Sequence, residues 1–368
     1  MRSIRLAAIT LPLAFSLQCS SEPPSDADLS TTQDALTVAA TDASVVSLME
    51  KVADWQIGAL GTSQAKSWIE ATFYAGLMAT YRTTNQARFL QRAETWGNAN
   101  QWKLGPTEGN ADDQCAGQSY LELFALDKQH SELAPTQTSL DKMVAAPQPG
   151  FKIWWWADAL FMAPPVFARL GNATSNTKYF NAMSTMWWDT TNHLYDPQSS
   201  LFYRDAGFLN KTCPNGQKMF WSRGNGWVLA GTARVLEFLP ANHPDRAKFV
   251  SLFTAMSAKL ATLQKPDGFW PSCLTDAADF PSPESSGTAG FTFGLAWGVN
   301  HGLLDRATYL PVIRKGWSAL ASAIDANGKL GWVQQVGAAP GPSNKGDTAP
   351  YGVGLFLLAG SEVAKVGL

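Results

Sequence analysis

Six short segments that are apolar and almost free of charge recur along this chain, and they constrain its fold more than any other feature. They start at residues 73, 117, 158, 226, 293 and 351, each followed by a run such as Phe73-Tyr74-Ala75-Gly76-Leu77-Met78 or Tyr351-Gly352-Val353-Gly354-Leu355-Phe356. A helix that is apolar all round must be covered on every side. Between these segments lie amphipathic stretches at 45–55, 87–99, 178–188, 246–263 and 309–324, whose apolar positions recur at three- and four-residue steps. Helices of that second kind expose one face. Six inner helices alternating with about six outer ones predict an all-α, closed double ring, an (α/α)6 toroid. No single unit can bury its inner helix alone, so 46–368 is expected to fold as one domain. An open solenoid is the alternative, but its last repeat would need a polar outer face, and residues 351–358 are as apolar as the rest. Short β-like pieces at 151–154 and 201–203 are expected to form hairpins at one mouth of the ring.

Charge narrows the function. Twenty-eight Lys and Arg stand against 30 Asp and Glu, which argues against a nucleic-acid partner. Charged residues make up 16% of the chain, below the roughly 25% typical of soluble domains, while 15 tryptophans are present. Indoles in such number fit either a large core or a cleft that packs the C–H faces of sugar rings.

Residues 1–19 read as a secretory leader. Arg2 and Arg5 precede a mostly apolar run at 6–17 that is too short to span a bilayer. The leader can end by cleavage near 16–21, or Cys19 can be the lipidated first residue of a bacterial lipoprotein; Gln18 is bulkier than the residue usual before such a cysteine. Residues 20–45, rich in Ser, Thr, Asp, Ala and Pro, read as a flexible tether. The expectation is an exported protein, in the periplasm or attached at the outer membrane or cell surface through Cys19, and a monomer. Of the remaining Cys115, Cys213 and Cys273, an exported chain has one bridge available, with Cys213–Cys273 the expected pair.

The polar residues of interest gather just before the inner helices, so they should meet at one mouth. Asp112 and Asp113 precede the second inner helix; each can be an N-cap or a working carboxylate. Asp158 follows Trp154-Trp155-Trp156 and opens the third. An aromatic wall penalises an ionised carboxyl and keeps it protonated for general-acid work. In Phe220-Trp221-Ser222-Arg223-Gly224-Asn225-Gly226-Trp227 a guanidinium sits between two indoles, as a site for an acidic sugar would require, or as a simple stacking pair. Residues 283–291 read as a loop capped by Ser or Thr before the fifth inner helix, with Glu284 a loop residue. No nucleotide-binding glycine motif, paired cysteine or metal-binding histidine spacing appears, and the four histidines are scattered. No metal or cofactor is expected.

Trp156-Ala157-Asp158-Ala159-Leu160-Phe161-Met162-Ala163-Pro164-Pro165, the Arg223 motif, Ser286-Gly287-Thr288-Ala289 and Tyr351-Gly352-Val353-Gly354 together resemble glycoside hydrolase family 105, the unsaturated rhamnogalacturonyl hydrolases, over about residues 68–362. The resemblance implies an (α/α)6 barrel and a metal-free hydrolysis of lyase-generated pectic oligosaccharides. An acid protonates C4 of the C4=C5 double bond in a terminal unsaturated uronate, and water adds at C5. It implies Asp158 as acid/base, Asp113 or Asp112 as the second carboxylate, and Trp221, Arg223, Trp227, Met162 and Trp156 as substrate contacts. Many relatives carry a His after the Phe-Tyr pair; here Arg204-Asp205 follows Phe202-Tyr203, which implies a different neighbouring subsite with Arg204 adding charge. A conventional inverting glycosidase or a lyase on the same fold, and a non-catalytic glycan-binding surface lipoprotein, are the competing readings.

Overall fold

The computed structural model describes residues 42–368; the leader, the Cys19 site and the tether up to residue 41 lie outside the described residues. The helical domain begins three residues earlier than the expected boundary at 46. Asp42 accepts the Ser44 N–H (2.9 Å) and so caps a helix that starts at Ala43.

In chain order the helices are α1 (Ala43–Leu60), α2 (Trp68–Thr84), α3 (Ala87–Ala99), the short α4 (Ala111–Gln114), α5 (Gly117–Asp127), α6 (His130–Ala145), the short α7 (Gly150–Ile153) and α8 (Ala159–Met162), α9 (Pro164–Thr174), α10 (Thr177–Leu194), α11 (Ser222–Leu236), α12 (Arg246–Ala261), α13 (Ser285–Asn300), α14 (Arg306–Ser322) and α15 (Pro350–Val366). The inner ring runs α2, α5, α8–α9, α11, α13, α15 and back to α2. Helices α1, α3, α6, α10, α12 and α14 form the outer ring, each burying one face. By contrast α11 is buried along its whole length, and α13 and α15 nearly so. This is the double ring expected. The amphipathic α6, interrupted by Pro135, is the sixth outer helix that no segment above anticipated.

Ring closure depends on two glycines. A Cβ on Gly76 would lie 2.4 Å from the Gly354 carbonyl oxygen, and one on Gly354 would lie 2.2 Å from that of Thr72. The first and last inner helices therefore touch backbone to backbone, a distance that side chains would forbid. The third inner helix is broken at Ala163. Pro164 lacks the N–H that would continue α8, and it begins α9 at a first-turn position that tolerates proline.

All six inner helices point the same way. Residues at their C-terminal halves converge on Glu122, which meets Arg169 at 2.6 Å, Arg82 at 2.9 Å and Arg234 at 3.3 Å. Burial alone would raise the Glu122 carboxyl, but Arg169, Arg82 and Arg234 hold it down to about 2. The opposite, N-terminal mouth is left for the polar groups before the helices. There, Tyr195–Asp196 (β1) and Leu201–Phe202 (β2) form the expected hairpin, pairing Tyr195 with Phe202. The other predicted β piece is helical: residues 151–153 belong to α7, whose Gly150 N–H is anchored by Asp189 (2.8 Å). Cys213 and Cys273 are joined by a disulfide, and Cys115 is buried and free. Among the described residues no helix is long and apolar enough to cross a membrane.

Candidate active site

Local structure separates the two adjacent carboxylates. Asn110 caps α4 by accepting the Asp112 N–H (2.9 Å), so neither aspartate is needed as a cap. Asp113 turns toward the preceding loop, where Oδ2 accepts the Thr107 N–H (2.9 Å) and its carbonyl accepts the Gly105 N–H (2.7 Å). Asp112 turns the other way, into a cavity. Burial pushes its carboxyl up to about 7, helped by repulsion from Asp158 and Asp113 and opposed by Arg204.

Asp158 stands at the N-cap position of α8 yet makes no capping hydrogen bond. Its Oδ2 is buried without a hydrogen-bond partner. The nearest cation is Arg204, whose Nε lies 3.7 Å away, beyond hydrogen-bond range. Burial raises the Asp158 carboxyl above its ordinary value, against the pull of Arg204 and Arg223. A desolvated acid with an unfilled lone pair is poised to exchange a proton with whatever enters beside it.

What it faces is a cavity of about 180 Å³. Asp112, Asp158 and Arg204 supply its charge, Trp68, Trp156 and Met162 its apolar wall, and Val336 and Gly337 its remaining edge. Arg204 is fixed from two sides. Its carbonyl accepts the Ala157 N–H (2.8 Å), and its Nη1 bonds Asp205 Oδ2 (2.7 Å). Asp158, Asp112 and Trp156, which precede inner helices, and Met162 and Arg204, which the family resemblance singled out, are thus brought together on one lining.

Trp221, Arg223 and Trp227 are not on that lining, contrary to expectation. Arg223 lies between the rings of Trp221 (4.4 Å to the centroid) and Tyr351 (5.0 Å), and only 1% of it is exposed. Its Nη1 donates to the Gln334 carbonyl (2.6 Å) and its Nη2 to that of Gln335 (3.0 Å). Trp221 Nε1 donates to Gln334 Oε1 (2.8 Å), and Tyr351 Oη to the Gln334 carbonyl (2.5 Å). The guanidinium is spent on the loop that carries Val336 and Gly337. Trp227 is wholly buried, edge-on to Trp68 (6.3 Å) and against Phe161 (4.7 Å), so it supports the cavity wall from below. Asn225 of the same motif pins the hairpin, accepting the Phe202 N–H (2.8 Å) and donating to its carbonyl (3.0 Å). The motif shapes the site through two neighbours rather than by touching its contents.

Glu284 is likewise more than a loop residue. It caps α13, accepting from Ser286 N–H (2.9 Å) and Gly287 N–H (2.7 Å), and accepts the Gln334 N–H (3.3 Å) as well. The cap expected from Ser or Thr comes from this carboxylate, which is 1% exposed. Sequence reasoning missed Trp68 and residues 334–337. Trp68 opens α2 directly after its Ser67 cap, at the mouth end of an inner helix as Asp158 is, and that signal was available. The 334–337 loop carries none.

A ring of parallel inner helices whose N-terminal ends enclose two desolvated carboxyls and a pair of indoles defines an (α/α)6 enzyme acting on carbohydrate. Residues 37–366 match the model of Glycosyl Hydrolase Family 88. The chain belongs to that family and is a glycoside hydrolase. Solved structures described as family 88 and as possible family 105 members share its fold. It is 37% identical over 341 residues to an unsaturated 3S-rhamnoglycuronyl hydrolase of Formosa agariphila, covering 86% of this chain and 90% of that one. A protein of the same name from Alteromonas sp. is 32% identical over 403 residues, with 98% of each chain covered. A solved structure described as a polysaccharide lyase superposes with a TM-score of 0.84 at 33% identity, covering 88% of this chain and 97% of that one.

Proposed function

We propose that the protein releases the unsaturated uronic acid from the non-reducing end of lyase-generated oligosaccharides by hydrating its C4=C5 double bond. The observation that carries this reading is the Asp158 carboxyl, its Oδ2 buried without a hydrogen-bond partner, on the cavity lining with a second raised carboxyl, Asp112. Asp158 gives its proton to C4. The cation left at C5 is shared with the ring oxygen, and water adds there, returning a proton to the Asp158 carboxylate. The resulting C5 hemiketal opens to a ketone. The C1 hemiacetal that this exposes collapses to an aldehyde and frees the neighbouring sugar. Asp112 rather than Asp113 is the second carboxylate on this geometry, because Asp113 is committed to the Thr107 N–H. Burial, with repulsion from Asp158 and Asp113, holds the Asp112 carboxyl up at about 7, so a second proton-carrying group stands on the cavity lining. Arg204, the cation on the cavity lining, meets the uronate carboxylate.

The relatives' names favour a 3-sulfated rhamnose as the sugar next to the uronate. Unsulfated pectic rhamnogalacturonan disaccharide is the alternative. The Cys213–Cys273 bridge supports export. Attachment through Cys19 and a monomeric state belong to the same reading.

Unsaturated disaccharides of both kinds, followed by the ultraviolet absorbance of the conjugated double bond, test the proposal. Hydration removes the absorbance. A lyase, the reading that one structural neighbour's description favours, would raise it on intact polysaccharide, and an ordinary glycosidase would leave it unchanged. Asp158→Asn should lose about 10²–10⁴-fold in kcat, the usual contribution of a positioned acid. An Asp158→Asn variant with wild-type turnover would overturn the assignment.

A further inference from the structure

Trp155 is the one tryptophan of the fifteen that stands exposed, at 47%, while Trp154 and Trp156 on either side of it are buried. An indole left in water is a surface without an internal use. Its place is specific. Trp155 packs against Trp156, which lines the cavity (centroids 4.8 Å apart), and the Arg204 guanidinium lies over its ring at 5.2 Å. Arg204 in turn reaches Asp158 and Asp205. The exposed ring is thus continuous with the catalytic cavity through two of the cavity's own residues. On the same cavity's edge, Val336 is 61% exposed, so the mouth has apolar surface on the 334–337 loop as well.

On the function proposed above, the cavity of about 180 Å³ takes the unsaturated end unit, so the rest of the chain leaves across its rim. We propose that Trp155 forms an outer sugar-binding subsite at this rim. It takes a pyranose beyond the scissile bond, stacked on the part of the indole that Arg204 leaves free. The inference rests on the function proposed above and extends it: the enzyme should prefer tetrasaccharides to disaccharides.

Two measurements test it on the unsaturated di- and tetrasaccharides of a lyase-cleaved polysaccharide of sulfated rhamnose and uronic acid. The first is the ratio of kcat/KM for tetrasaccharide over disaccharide. It should exceed one in the wild type, fall on the order of tenfold in Trp155→Ala, the effect of uncovering one ring face, and recover in part in Trp155→Phe, which keeps a stacking face. The second uses Asp158→Asn, which binds without turnover. The difference in iodide quenching between that variant and Asp158→Asn/Trp155→Ala reports Trp155 apart from the half-buried Trp55, Trp68, Trp188 and Trp332, and tetrasaccharide should shield that component more than disaccharide does. A wild-type ratio that Trp155→Ala leaves unaltered, or equal shielding by both sugars, would overturn the subsite while leaving the hydrolase reading intact. Failure of the wild type to act on any unsaturated disaccharide would instead overturn the hydrolase reading.

Discussion

Asp112→Asn should make the protein more stable in alkaline conditions and less active. Burial, then Asp158 and Asp113, push the Asp112 carboxyl from 3.8 up to about 7. In the unfolded chain the same group ionises near its ordinary value of about 4. Between these values the native state binds more protons than the unfolded state, so stability falls as pH rises from about 4 through about 7. At about 1.4 kcal/mol per tenfold change in the proton equilibrium, the full loss approaches about 4 kcal/mol, and relaxation of the site should reduce it to about 2–4 kcal/mol. Asparagine has the same shape and no charge to bury, so it escapes this penalty. Urea unfolding of wild type and variant across the pH range measures the difference. Near pH 4 the two should be about equally stable; near pH 8 the variant should lead by about 2–4 kcal/mol. Turnover should fall, because the cavity loses its second ionisable carboxyl. This is the trade of stability for activity expected where a site stores unfavourable charge. A stability difference that stays flat with pH, or a wild type more stable near pH 8, would refute the placement of Asp112 in a desolvated cavity.

Other changes probe the scaffold. Arg223→Lys replaces a fork that bonds two carbonyls by a single ammonium; it should destabilise the fold by about 2–4 kcal/mol and raise KM more than it lowers kcat, since Arg223 holds the 334–337 loop rather than the reacting atoms. Unfolding curves with steady-state kinetics separate the two effects. Gly354→Ala forces a Cβ to within 2.2 Å of the Thr72 carbonyl and should lower stability by about 1–3 kcal/mol or more, read as a fall in Tm, by prising the ring open where its ends meet. Cys213→Ser opens a bridge spanning 60 residues and should cost about 2–4 kcal/mol, measured against wild type under oxidising conditions; under reducing conditions the difference should vanish.

Helical periodicity and absence of charge are properties of the chain itself, so the alternation of inner and outer helices, with α3 and the start of α12 to the residue, could be read directly from it. The order of the polar groups could be read too: a residue just before an inner helix must lie at the mouth once the inner helices are parallel, and this located Asp158, Asp112 and Trp156, while Met162 came from the family resemblance. Which way a side chain turns is set by partners distant in sequence. Asp112 and Asp113 are neighbours with the same chemistry, and only the Thr107 N–H decides that one leaves the cavity while the other enters it. Arg223 reads as a carboxylate clamp until carbonyls more than a hundred residues away claim both of its terminal nitrogens. Local pattern determined the ring and its active mouth; the direction of each charge within that mouth awaited the tertiary fold, because hydrogen bonds are made to the groups nearest in space, and sequence distance does not record them.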